Sequence, residues 1–516
     1  MLVGDMIRLN GKHRGGSEAL VVEQVRLTYA ELDVRIDDVA SALLAAGVKF
    51  GDRVAALGKN SVEYFLLYFA TARIGAILVP LNFWHRAAEH DYTIANADPA
   101  LVFVEPEYQD VLDPKGRPRI LLPAGGATGE WDQFLTAGHG RFPGPEREIQ
   151  PEDPHMILYT SGTTGRPRGA VLSHRRTMDD AFSMAAVLGA RGDDTFFNYF
   201  PPFHVGNWDH MKLFLLVGAR VIMLRQFDAA EVLRTIPAER VSVVLGVPTM
   251  LHDLLSHPDF PATDTSSVRL VYYGAYDPSD VMRRTADAFG VTDGRCEMAH
   301  TFGLTEAGPF VTICRSYEML GHWGSIGLPL PGVEVELLDD DGLPVPPGSP
   351  GELCMRGPRM TAYWNDAPGT ASALEGGWLH TGDIAVADDQ GFLFIVDRKK
   401  DMIRSGGQNV YSKTVEDCLQ LHEDVAEAAV IGVPDAVYEE QVCAIIVLRD
   451  GVPADDGTKT RIQQYVRASL AGYNCPRSIH FASELPRNAV GKIQKHLLRA
   501  SYGSIFSGTA GGRDPG

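Results

Sequence analysis

The sequence predicts an α/β chain: a large N-terminal domain of doubly wound sheets with a β-rich subdomain, and a small α+β C-terminal domain. Three observations predict it. Strand and helix patterns alternate through the first hundred residues, at the spacing of parallel strands joined by helical crossovers. After about residue 310 the pattern changes to short strands broken by Gly and Pro. From about residue 400 a helix, two strands, a helix and a short strand follow one another. The domains are placed at 1–398, with the β-rich part at about 310–396, and at 399–503. Residues 504–516 read as a polar, glycine-rich disordered tail.

The elements follow in order. "ALVV" (19–22) is a short strand. Thr28 and Glu31 form a capping box, which satisfies two free backbone donors at a helix start. Leu32, Ile36, Val39 and Leu43 then fall on one helical face, and Gly47 suits the left-handed position that ends the helix. "RVAAL" (53–57), a helix through "SVEYFLLYFATARIG" and the strand "AILVPL" continue the alternation. It resumes with "RVIML" (220–224), "VSVVLGVP" (241–248) and "VRLVYYGA" (268–275). In the last domain "KTVEDCLQL" and "RIQQYVRASL" are helices, and "AAVIGV", "CAIIVL" and "IHFA" are strands.

Bulk composition excludes several functions. A formal net charge of -19 argues against a nucleic-acid or anionic-membrane surface, because either needs a broad basic face. Local basic clusters at 166–168 and 398–400 still suit a small anion. Cys296, Cys314, Cys354, Cys418, Cys443 and Cys475 form no CxxC pair, so reduced thiols in a cytoplasmic enzyme are expected, not a disulfide frame or a zinc site. The N-terminus lacks the apolar core of a signal peptide, and no run of about eighteen apolar residues exists to span a membrane.

The densest chemistry lies in "YTSGTTGRPRGAVLSH" (159–174). Gly162 and Gly165 let backbone amides approach a ligand, and successive amides make an anion-binding concavity. Thr160, Ser161, Thr163 and Thr164 add hydroxyls, and Arg166 and Arg168 add charge. A loop of this kind between two apolar runs can wrap the phosphates of a nucleotide. It is not a Walker loop, since G-x-x-x-x-G-K-[ST] is absent. Composition alone leaves a Gly/Ser/Thr surface turn open as the alternative.

The full string resembles the phosphate loop of the adenylate-forming superfamily: acyl- and aryl-CoA synthetases, peptide-synthetase adenylation domains and luciferases. "HTFGLTEAGP" (300–309), "GWLHTGDIA" (377–385), "VDRKKDMIRSGGQNVYSKTVED" (396–417) and "PRNAVGKIQK" (486–495) match the later motifs in order and spacing. Together they cover nearly the whole chain. The sequence departs from the usual pattern at Arg168, where lysine is common, at Phe302, where tyrosine is frequent, and at Tyr276, where a small residue is usual.

The resemblance implies a reaction and its residues. A carboxylate attacks the α-phosphate of ATP, pyrophosphate leaves, and a thiol takes the acyl group from the adenylate. Such catalysis is positioning plus preorganised positive charge. By resemblance Lys492 bridges carboxylate and α-phosphate, Thr305 donates to that phosphate, and Glu306 holds Mg²⁺, which prefers oxygen ligands. The AMP moiety falls to Gly274, Ala275, Tyr276, Thr301, Phe302 and Gly303, with Asp383 and Arg398 on the ribose. Gly406 and Gly407 line the tunnel for the pantetheine arm of CoA. The C-terminal domain rotates on a hinge at Lys400, because Lys492 serves only the first half-reaction.

His204 resembles the aromatic residue that gates carboxylate entry, and Val205 stands where adenylation domains for α-amino acids carry an acid. Asn207, Asp209 and His210, with Tyr276, Thr301 and Pro309, are expected to line the acyl pocket, which implies a short or aromatic acid with a polar substituent. The alternative that Asp209 and His210 face away from the substrate stays open. Expected partners are the acid, ATP and CoA, with a carrier protein or another nucleophile as the second acceptor; no fused carrier domain is expected. Retention of Glu306, Asp383, Arg398 and Lys492 argues against a degenerate nucleotide-binding regulator.

Overall fold

A computed structural model describes residues 1–123, 129–138, 140, 142–160, 167–274, 280–435, 437–487 and 493–507. The chain divides into two compact units, Met1–Val335 with Cys354–His380, and Glu336–Leu353 with Thr381–Gly516. The expected domain boundary at 398/399 lies inside the second unit.

The first unit contains two large sheets. One runs in the order Leu328–Pro329, Gly308–Arg315, Glu297–Leu304, Leu270–Gly274, Val243–Gly246, Thr195–Asn198, Arg220–Met223, Glu18–Val22, Val25–Thr28. Its interior strands are parallel, and hairpins close both edges. The other runs Ala362–Tyr363, Arg168–Ser173, Pro154–Thr160, Ile77–Leu81, Arg53–Leu57, Leu101–Val104, Arg119–Leu121. Parallel sheets covered on both faces need strands that are apolar throughout. Ile77–Leu81 is accordingly buried at every position.

Local rules explain the helices between them. Thr28 caps Tyr29–Ala45 in the expected box with Glu31, and Leu32, Ile36, Val39 and Leu43 are buried. Val62–Ile74 starts at Ser61, whose Oγ accepts from the Tyr64 amide at 3.1 Å, and ends at Gly75 with φ 73°. It is buried around nearly its whole circumference, which is why its sequence shows no polar stripe. Val205–Val217 is buried in the same way, although Asn207, Asp209, His210 and Lys212 lie within it. Among the described residues no helix is long and apolar enough to cross a membrane.

In the second unit Val425–Asp435 and Glu439–Leu448 form a long antiparallel pair, with Ser478–Phe481 parallel to the latter. Ser412–Gln420 and Asp456–Ser469 bury Val415, Leu419, Ile462 and Val466 against these strands. A last helix spans Lys495–Ser507, past the start of the expected tail, whose residues 508–516 lie outside the described ones.

Candidate active site

The phosphate motif is a hairpin. Strands Pro154–Thr160 and Arg168–Ser173 pair antiparallel, with Thr160 opposite Arg168. Ser161, Gly162, Thr163, Thr164, Gly165 and Arg166, between the two strands in sequence, lie outside the described residues. Its base is anchored by a segment that sequence reasoning did not single out. Arg168 forms an ion pair with Asp366 at 3.3 Å and sits 5.4 Å from the centre of the Tyr363 ring. The Trp364 amide donates to the carbonyl of Gly169 at 2.7 Å. A cavity of about 210 Å³ borders the hairpin, lined by Tyr92, Asn96, Arg168, Gly169, Trp364 and Asp366.

Thr305 and Glu306 occupy the turn between strands Glu297–Leu304 and Gly308–Arg315. The turn is tight: a Cβ on Gly303 would overlap the backbone of Gly308 and Pro309. Phe302, Thr305, Glu306 and Pro309 are half-buried. Tyr363 donates its hydroxyl to Glu306 Oε1 at 2.7 Å, and the Met360 amide donates to the Glu306 carbonyl at 2.6 Å. Burial, and then the Glu306 carboxylate, push the Tyr363 phenol far up, so it stays a neutral donor. The dipeptide Tyr363–Trp364 before Asn365 and Asp366, polar and aromatic in a Gly-rich stretch, was the available signal for this anchor.

Gly274 pairs with Thr301 across adjacent parallel strands, and Thr301 Oγ1 donates to the Tyr273 carbonyl at 3.3 Å. Tyr273 stacks on His300 with ring centres 4.4 Å apart. Ala275 and Tyr276 lie outside the described residues.

The helix Val205–Val217 sorts the expected acyl-pocket residues into two groups. His204 caps it, with Nδ1 accepting from the Gly206 amide at 3.0 Å, and is itself half-buried. His210 places Nδ1 3.2 Å from the Tyr272 hydroxyl and meets Phe310 edge-on at 4.7 Å. Burial lowers its pKa to about 3, so the ring is neutral. Asn207 and Asp209 are engaged in the interior. Asn207 donates to Asn60 Oδ1 at 2.7 Å and to the Phe200 carbonyl. Asp209 is paired with Arg176 at 2.6 Å and with Lys212, all three side chains at most 2% exposed. Burial alone would raise Asp209, but Arg176 and Lys212 hold it below the usual carboxylate range. The spacing of polar residues on this helix therefore reports an internal ion array.

In the second unit Asp383 and Arg398 face each other across the hairpin Leu379–Ala387/Leu393–Arg398, with Arg398 Nε 3.0 Å from Asp383 Oδ1. Asp383 is 5% exposed, while half of the Arg398 side chain is accessible. The carbonyl of Lys400 accepts from Arg499 at 3.4 Å, and Asp401 pairs with Arg499 at 2.8 Å. Gly406 and Gly407, at φ 60° and 76°, make the two-residue turn of the hairpin that pairs Ser405 with Gln408. A Cβ on Gly406 would press on the Tyr438 ring at 2.9 Å, whereas one on Gly407 would meet nothing within 4 Å. Lys492 lies outside the described residues; Arg487 and Ile493, on either side of residues 488–492, form an antiparallel bridge.

The chain matches the family model "AMP-binding enzyme" over residues 8–364 and "AMP-binding enzyme C-terminal domain" over 414–492. It is 36% identical to a feruloyl-CoA synthase of Amycolatopsis sp over 481 residues, covering 92% of this chain and 94% of that one. It is 33% identical to an indoleacetate–CoA ligase of Aromatoleum aromaticum over 498 residues, covering 95% and 96%. Among solved structures it resembles the anthranilate CoA ligase AuaEII in complex with anthranoyl-AMP, with a TM-score of 0.87, 26% identity and 98% of each chain covered.

Proposed function

The chain belongs to the AMP-binding, adenylate-forming enzymes, and from that premise we propose that it is an AMP-forming acyl- or aryl-CoA synthetase for a short or aromatic acid bearing a polar substituent. An oxygen of the acid attacks the α-phosphorus of ATP, the bond to the bridging oxygen breaks, and pyrophosphate leaves. The sulfur of CoA then attacks the acyl carbon, and AMP leaves with the bond pair.

The observation that carries this reading is the meeting of two site segments on one residue. Tyr363 hydrogen-bonds Glu306 and lies beneath Arg168, so the carboxylate of one motif and the cation of another share a support. In the proposal Arg168 and the loop from Thr160 to Gly165 hold the pyrophosphate. Thr305 and Lys492 stabilise charge growing on the α-phosphate. His204 orients the acid, and Asp383 and Arg398 take the ribose. Lys400 is the pivot that removes Lys492 before thiol attack. Glu306 suits magnesium: it offers hard oxygen donors and is oriented by a neutral phenol. When bound, the ion neutralises phosphate charge.

In the proposal His210, beside Tyr272 and Phe310, faces the acid. A neutral imidazole among aromatic rings favours a flat, apolar body with an uncharged polar group, and disfavours a second carboxylate. Likeness to enzymes named for feruloyl, indoleacetate and anthranilate supports the same class, and the first two support CoA as the acceptor. The six free, buried cysteines agree with a cytoplasmic setting. A panel of acids in a pyrophosphate-release assay tests the substrate. Hydroxylated or amino-substituted aromatic acids are expected to lead, and best activity on hexadecanoate would refute the choice.

A further inference from the structure

The buried ion array on helix Val205–Val217 includes Arg176, just past the strand Arg168–Ser173, and lies against the turn that follows Glu306. Arg176 lies three residues after the end of strand Arg168–Ser173, and Ser173 Oγ accepts from its amide at 3.3 Å. Its Nη1 stands 2.6 Å from Asp209, next in sequence to His210. Its Nη2 stands 3.2 Å from Asp180. The guanidinium also lies against the turn that carries Glu306. Gly308 has φ 89°, and a Cβ there would overlap Arg176 Nη2 and Asp180 Oδ2. Glycine is required at that point both by its dihedral angle and by the flat group beneath it.

Glu306 itself is held by the Met360 amide at its carbonyl and by the Tyr363 hydroxyl at its carboxylate. Arg176 lies against the turn at Gly308, two residues on. Its Nε and Nη2 make no hydrogen bond among the described residues, so the Asp209 carboxylate and packing against Asp180, whose pKa burial pushes up to about 8, fix its plane. An arginine suits this place because its fork reaches two acids while its flat face supports backbone; a lysine has neither property.

We propose that Arg176 is a positioning residue for Glu306: held by Asp209 and packed against Asp180, its guanidinium is the platform for the Gly308 turn and fixes where the Glu306 carboxylate stands. The inference rests on the functional reading above, in which Glu306 takes the metal. The test is a titration of the ATP-saturated enzyme with Mn²⁺, followed by the electron paramagnetic resonance of the free ion. Arg176→Lys keeps the charge but loses the plane. Arg176→Met with Asp209→Leu and Lys212→Met replaces a buried ion triad by apolar groups, a change that folds tolerate. Glu306→Gln sets the full effect of losing the ligand.

Both Arg176 variants are expected to bind Mn²⁺ about tenfold more weakly, the scale of a lost supporting contact. Their affinity for metal-free ATP stays within about twofold of wild type. A folded Arg176 variant that binds Mn²⁺ as wild type does would overturn the inference alone. Wild-type affinity in Glu306→Gln, or no pyrophosphate release from wild-type enzyme with any acid, would overturn the parent reading instead.

Discussion

The Tyr363 hydroxyl donates to Oε1 of Glu306 at 2.7 Å, from a strand that pairs with the far strand of the phosphate hairpin. A hydrogen bond to a charged group contributes about 1.5–3 kcal/mol. Tyr363→Phe is therefore expected to slow pyrophosphate release by about tenfold or more and to raise the magnesium concentration at half-maximal rate. The thermal transition, measured beside it, stays close to wild type.

Lys492→Ala is expected to lower the first half-reaction by about two orders of magnitude, since it removes the charge on which the proposed transition state depends. Thioester formation from supplied acyl-adenylate and CoA stays within a few-fold of wild type. Rapid-quench measurement of the two half-reactions separates these outcomes, and equal losses in both would deny Lys492 its proposed role.

Asp209 is tied to Arg176 and Lys212 in the interior. Asp209→Ala leaves two buried cations without their acid, which costs about 3–5 kcal/mol. Urea unfolding reads that loss. A variant of wild-type stability with a changed preference among acids would place Asp209 in the pocket after all.

Acid sensitivity has an identifiable source. Burial lowers His90 and His174 to about 4 and His210 to about 3. The unfolded chain protonates these rings below about 6.5, while the folded chain keeps them neutral until the lower values are reached. Stability is thus fully present above about pH 6.5 and falls as the pH drops from there toward 3–4. His210→Gln is expected to flatten the decline of the urea midpoint between about pH 6.5 and 5. An unchanged slope would mean that His210 does not take part.

Much of the fold is legible in the sequence because its rules are local. Thr28, Glu31 and the buried positions of Tyr29–Ala45 follow from capping and a 3.6-residue period. The helix Val205–Val217 obeys neither an apolar nor a polar stripe, because all its sides are buried. Its polar residues read equally well as pocket or interior, and the positions of their partners decide: Tyr272 for His210, Arg176 for Asp209. Those partners lie 62 and 33 residues away, beyond any local pattern. Tyr363 was missed for the same reason. Its role exists only because a short edge strand brings it beside both Arg168 and Glu306.

In the proposed reaction the acid itself attacks the α-phosphorus of ATP. The most direct measurement uses an aromatic acid labelled with ¹⁸O in both carboxylate oxygens, with ATP and CoA, followed by ³¹P NMR of the products. Attack by the acid gives AMP carrying one acid-derived ¹⁸O, unlabelled pyrophosphate, and an acyl-CoA that retains the other label. Formation of ADP and phosphate, or of AMP free of label, would contradict it.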